Sequence, residues 1–151
     1  MRRRGQVELI ALIGVALLIL GVIAYFVFFR PPPKVAPPEL SMRPVRNAVC
    51  PMESAEFKLT VTNPKENPEI KAILNATVKP EGTAWFDSGN GVAVSTVKLD
   101  LKPGQSATVT VYGLGGEQGE HVINVTVAYG YGNKVVGVEH VNMPFLVTLC
   151  G

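Results

Sequence analysis

The sequence of 151 residues predicts a mainly β protein, one hydrophobic α-helix followed by a two-sheet β-sandwich. Three observations carry that expectation. Leu9–Phe29 is an uncharged, almost wholly apolar run of 21 residues. From Ser41 onward, apolar and polar residues alternate in strand-length stretches. Turn signals rich in Pro, Gly and Asn separate those stretches, and no sustained 3.6-residue period appears among them.

The apolar run comes first in the chain. At ~1.5 Å per residue it is long enough to cross a hydrocarbon layer of ~30 Å. Arg2, Arg3 and Arg4 precede it, whereas Arg30 and Lys34 beyond it are fewer and lie among prolines. Basic residues stay on the cytoplasmic side, so the expected localisation is the cell membrane and cell surface, with the C-terminal domain extracytoplasmic. A cleaved secretory signal has a shorter apolar stretch of ~7–15 residues with a small-x-small site behind it. Here the run ends in Tyr25-Phe26-Val27-Phe28-Phe29-Arg30, an aromatic cluster suited to the outer membrane interface. Cleavage behind the helix is therefore not expected.

The segment Arg3-Arg4-Gly5-Gln6-Val7-Glu8, followed at once by the apolar helix, resembles the class III signal of archaeal type IV pilins and archaellins. The resemblance covers about the first thirty residues. It implies that a prepilin peptidase cuts between Gly5 and Gln6, that Glu8 becomes the third mature residue, and that the mature helix packs into the core of a filament. In bacterial type IV pilins the helical Glu is the fifth mature residue. The expected organisation is a basic leader (1–5), a hydrophobic helix (6–30), a Pro-rich linker (31–40) and an immunoglobulin-like β-sandwich (41–151).

The residues admit physical readings of their own. Glu8 lies at the edge of the apolar run. It pairs with the amine freed at Gln6 or with a neighbouring subunit, or it is a solvated carboxylate favoured by the helix dipole. Gly14 and Gly21 are seven residues apart, on roughly one face, where small residues allow close helix contact; ordinary glycines of a membrane helix are the other reading. Ile13 and Leu17 belong to the apolar surface that assembly would cover. Five of the eight residues from Pro31 to Pro38 are proline. They exclude helix and favour polyproline II, a semi-rigid spacer of ~25 Å at ~3.1 Å per residue. In many pilins, by contrast, the helix runs further before the head begins.

In the second half, Phe57, Leu59 and Val61 alternate with Lys58, Thr60 and Thr62. Ile70, Ala72, Leu74, Ala76 and Val78 alternate with Lys71, Ile73, Asn75 and Thr77. Val109 and Val111 alternate with Thr108 and Thr110, and Ile123, Val125 and Val127 with Val122, Asn124 and Thr126. Between seven and nine short strands in roughly 110 residues fit an immunoglobulin-like sandwich. Trp85, Phe57 and Phe145 are the expected large core residues. Two stretches, Leu99–Val111 with its Lys102-Pro103-Gly104-Gln105 turn and Gly119–Val127, resemble the sandwich modules of prokaryotic surface proteins, which are similar to fibronectin or cell-adhesion domains. That resemblance implies fold, since its motif is a turn and a packing pattern.

Cys50 and Cys150 are the two cysteines, near the start and at the end of the β half. An even count outside the cell favours one disulfide; free thiols and bridges between subunits are the alternatives. His140, Met143 and Cys150 share a terminal segment, yet the order of ligands and the scarcity of histidine do not suit a blue-copper site, and His121 and His140 read as solvent-facing strand residues. Asp87 and Asp100 have no evident partners, and no nucleophile, zinc-protease or phosphate-loop motif occurs. No enzyme, cofactor, metal or small-molecule substrate is expected. From Ser41 onward nine Lys and Arg stand against ten Asp and Glu, a net charge of about −1, so no nucleic acid partner is expected either. Asn75-Ala76-Thr77 and Asn124-Val125-Thr126 match the acceptor pattern for N-glycosylation.

Two functional classes follow. One is a structural subunit of a pilus-like surface filament, self-associating through its helix and serving adhesion or surface contact. The other is an uncleaved, membrane-anchored binding module, such as an archaellum accessory or S-layer-binding protein.

Overall fold

The computed structural model describes residues 2–28 and 34–150. Met1, Arg30 and the first three linker prolines, Pro31–Pro33, lie outside the described residues. The chain divides into two compact units, with the boundary between Pro33 and Lys34.

The first unit holds helix α1, Arg2–Phe28. It is built from Leu, Ile, Val and Ala, with only Gly14 and Gly21 as helix-weakening residues in its apolar part.

The second unit is a two-sheet sandwich of ten strands. In chain order these are β1 (Glu39–Arg46), β2 (Ala48–Val49), β3 (Ala55–Thr62), β4 (Ile70–Lys79), β5 (Gly82–Asp87), β6 (Ala93–Val94), β7 (Thr96–Leu101), β8 (Ser106–Gly115), β9 (Gly119–Tyr131) and β10 (Lys134–Val147). One sheet has the order β1-β3-β8-β5-β6 and the other β2-β10-β9-β4-β7. Strand β1 begins at Glu39, inside the stretch expected to be linker. It pairs antiparallel with β3, and its register shifts between Pro44 and Arg46. Proline is tolerated there because β1 is an edge strand. Past the shift the chain changes sheets, and β2 pairs parallel with β10.

The alternation seen in the sequence becomes burial. Phe57, Leu59 and Val61 of β3, Ile70, Ala72 and Leu74 of β4, and Ile123, Val125 and Val127 of β9 are all fully buried. Phe57 and Phe145 meet edge to face across the two sheets, ring centroids 6.2 Å apart. The turn at Lys102-Pro103-Gly104-Gln105 closes through Gln105 N–H donating to the Lys102 carbonyl at 2.9 Å, with Gly104 at φ 75°. Pro followed by a positive-φ Gly is the type II pattern.

Two core expectations are corrected. Trp85 is only half-buried and lies on the outer face of its sheet; Phe86, its neighbour, is fully buried in its place. Consecutive strand residues face opposite sides, so only one of the two enters the core. His121 is buried at 2% exposure, not solvent-facing. It falls in phase with Ile123 and Val125, and its ring stacks on Phe145 at 5.4 Å. His121 Nδ1 lies 3.1 Å from the Gly119 carbonyl, while Nε2 is buried without a hydrogen-bond partner. Glycine at 115 makes room for this ring, since a Cβ there would sit 2.9 Å from His121 Nε2. His140 is exposed on β10.

Candidate functional site

Each unit carries candidate functional features of its own. Within α1, Gln6–Tyr25 is long and apolar enough to cross a membrane, with a mean hydropathy of 2.8 and none of it buried within the chain. Large apolar side chains point outward all round it, including Leu9 and Leu12 as well as Ile13 and Leu17. An amphipathic helix would turn one apolar face to a core; this one has no polar face to give to water. At ~1.5–3 kcal/mol per covered large side chain, leaving such a helix in water costs tens of kcal/mol. Such a surface suits lipid or neighbouring helices better than water.

The residues expected to act in assembly have definite places on this helix. At 100° per residue, Ile13, Gly14, Leu17 and Gly21 fall within about 100° of its circumference. A Cβ added at Gly14 or Gly21 would meet nothing within 4 Å, so that stripe is open to a neighbour. Glu8 is exposed, two residues beyond Gln6 near the helix start. Gly5 and Gln6 are both helical, which puts the expected cleavage position within α1 rather than in a preceding loop.

The head is closed chemically at its entrance. Cys50, just past β2, and Cys150, just past β10, form a disulfide with Cα atoms 5.4 Å apart and a separation of 100 in sequence. The chain-entropy estimate for a ring of that size is ~4.7 kcal/mol. A second fastening was not visible in the sequence. Asn67 is buried in the loop between β3 and β4. Its Oδ1 accepts from the Ala36 N–H at 2.8 Å, and its Nδ2 donates to the Ala36 carbonyl at 2.8 Å and to Asn63 Oδ1 at 3.0 Å. Asn63 Nδ2 in turn donates to the carbonyls of Pro68 and Leu101, both at 3.0 Å. Pro38 is buried and Val35 packs against the core. The last five linker residues are thus part of the head.

The outer faces differ in chemistry. On the β1-β3-β8-β5-β6 sheet, hydroxyls pair across strands: Thr60 with Thr108 at 3.0 Å and Thr62 with Ser106 at 2.7 Å. Further along, Trp85 stacks on Tyr112 with centroids 5.7 Å apart. Partial burial, followed by the charges of Glu56 and Asp87, raises the Tyr112 pKa above its ordinary 10.0, and Glu56 accepts from the phenol. Asp87 also holds its own loop, accepting from the N–H groups of Gly89 and Gly91 at 2.9 and 3.1 Å. On the other sheet, Asn75 is exposed and its Oδ1 accepts from Thr96 Oγ1 at 2.7 Å. Asn124 is half-buried, and its Oδ1 is covered and unpartnered. Among the described residues, no three His, Cys, Asp or Glu side chains gather as a metal site.

No family model matches the chain. No curated protein matches it in sequence. Solved structures do match it in shape. A lipoprotein from Bacteroides thetaiotaomicron aligns at 16% identity and TM-score 0.50, covering 80% of this chain and 88% of that one. A conjugative transposon lipoprotein from Bacteroides eggerthii aligns at 15% identity and TM-score 0.50, covering 72% and 96%. A CARDB domain from Pyrococcus furiosus, solved with di-metal ions, aligns at 20% identity and TM-score 0.45, covering 74% and 94%. At such identities the likeness to the two lipoproteins is one of fold alone. By its own strand order the chain is a two-sheet β-sandwich, and it carries one N-terminal apolar helix.

Proposed function

We propose that this chain is a structural subunit of a pilus-like surface filament. A prepilin peptidase removes residues 1–5, the helix from Gln6 joins copies of itself in the filament core, and the sandwich lies outside, serving adhesion or surface contact. The observation that supports this most directly is α1 itself, an apolar helix uncovered on every side, with Ile13, Gly14, Leu17 and Gly21 gathered on one open stripe. The same surface serves storage in the membrane and packing in the filament, because lipid and neighbouring helices are equally apolar. The chain acts through contact rather than catalysis.

A second reading is an uncleaved, membrane-anchored binding module with its head outside the cell. What favours it is the proline run that begins at Pro31 in the sequence, which cannot continue a helix and reads as a stalk. Sequencing the N-terminus of the extracted protein separates the two. A start at Gln6, with filaments seen by electron microscopy, supports the subunit; an intact Met1 on a protein that stays monomeric in detergent supports the anchor.

A further inference from the structure

The two N-x-T sequences of this chain lie against each other. Antiparallel pairing of β4 with β9 sets Asn75 opposite Thr126 and Thr77 opposite Asn124. Both asparagines and both threonines therefore share one face of one sheet. Their directly paired neighbours on the flanking strands are polar, with Lys79 and Lys98 further along the same face. Thr96 lies beside Asn75 on β7, and on β10 Asn142 lies beside Asn124 and His140 beside Thr126.

The two sites are not equivalent. Asn75 and Thr77 are both exposed, one strand from the sheet edge. The Asn75 carboxamide uses its oxygen on Thr96, which leaves Nδ2 turned away from that bond. Asn124 and Thr126 are half-buried on β9, flanked by strands on both sides. Thr126 Oγ1 lies 3.3 Å from His140 Nδ1, and Asn124 Oδ1 is shut off from solvent. A sugar on Asn75 extends into water without moving a strand. A sugar on Asn124 has to rise between the side chains of Thr77 and Asn142.

We propose that Asn75 is an N-glycosylation site, that Asn124 stays unmodified, and that the outer face of the β2-β10-β9-β4-β7 sheet is consequently turned to solvent rather than to a neighbouring subunit. The donor is a lipid-phosphate-linked saccharide. In the transfer, Asn75 Nδ2 forms a bond to the sugar's anomeric carbon, the bond from that carbon to the phosphate oxygen breaks, the lipid phosphate leaves with the electron pair, and the Nδ2 proton goes to a base of the transferring enzyme. No oxidant or reductant is involved. The idea rests on the proposed extracytoplasmic placement of the head.

The test uses the full chain isolated from its own cells. Trypsin spares the Lys79-Pro80 bond, so Asn75 falls in the peptide Ala72–Lys98 and Asn124 in Leu99–Lys134, where Lys102 likewise precedes proline. Mass spectrometry is expected to show a saccharide mass excess on Ala72–Lys98 alone. The excess is expected to vanish in Asn75→Gln and in Thr77→Val, and to persist in Thr77→Ser, which restores the hydroxyl. An unmodified Ala72–Lys98, an excess that survives Thr77→Val, or a sugar on Asn124 overturns the proposal. Protease treatment of intact cells reads the placement separately. A bare Asn75 on a head that protease reaches defeats the glycan alone, while a bare Asn75 on a shielded head defeats the outward orientation as well.

Discussion

The side-chain amide of Asn67 bonds both the N–H and the carbonyl of Ala36, 31 residues earlier, each at 2.8 Å. It imitates a strand partner for a stretch of chain that has none. The clamp ties Ala36 to the head, inside the stretch that the sequence marks as linker.

Replacing Asn67 with Ala is expected to destabilise the head by about 2–4 kcal/mol, because it removes three hydrogen bonds and strands Asn63 Oδ1 in the interior. Hydrogen exchange at the Ala36 amide reads the effect locally. That amide should become unprotected in the variant while β9 amides keep their protection. Unchanged protection at Ala36 would refute the clamp.

Two aromatic residues test the layering of the sandwich. Phe57→Ala should cost about 3–5 kcal/mol, since Phe57 is fully buried against Phe145. Trp85→Ala should cost only about 1 kcal/mol, the worth of its half-buried stack on Tyr112. Chemical denaturation of both variants checks the order, and a larger loss at Trp85 would mean that β5 is turned over.

Leu17→Asp sets a carboxylate in the middle of α1, where a charge costs about 2.5–3.5 kcal/mol on insertion into a bilayer. The expected result is loss of filaments, or of membrane retention, with the thermal transition of the head unmoved. Fibres of ordinary length in that variant would refute assembly through the helix.

The Tyr112 phenol holds its proton above the ordinary 10.0 for tyrosine. A folded-state pKa above the unfolded one means the folded chain binds more protons once the pH passes 10, so stability falls as pH rises through that region. Glu56→Gln removes one of the two carboxylate charges and should bring the Tyr112 ionisation back toward 10, read by ultraviolet absorbance. A titration that does not move would place Glu56 away from the phenol.

The strands were legible because one side of each sheet is dry and the other wet, which writes period two directly into β3, β4 and β9. The helix was legible from its length and lack of charge. Trp85 was misplaced because size says nothing about phase: in Ala84-Trp85-Phe86 only the register of β5 decides which ring turns inward. His121 was misplaced because a polar residue type outweighed a phase that its neighbours already gave. The Asn63–Asn67 network could not be read at all, since its partners at Ala36 and Leu101 come together only in the fold. Nor does a helix apolar on every side say whether lipid or protein covers it.

If the chain is held by α1, as proposed, the bond between Cys50 and Cys150 has a mechanical meaning. A tug arriving from the N-terminal side first meets Lys34, then can peel away β1 and β2. At Cys50 it meets a covalent ring, and tension passing further divides between two arms instead of running along one. A pull between the two ends of the chain can therefore draw out only residues 34–49 of the head, some 16 residues or about 55 Å at ~3.4 Å each. An intact head yields that much slack and stops, and a reduced one unravels along its whole length.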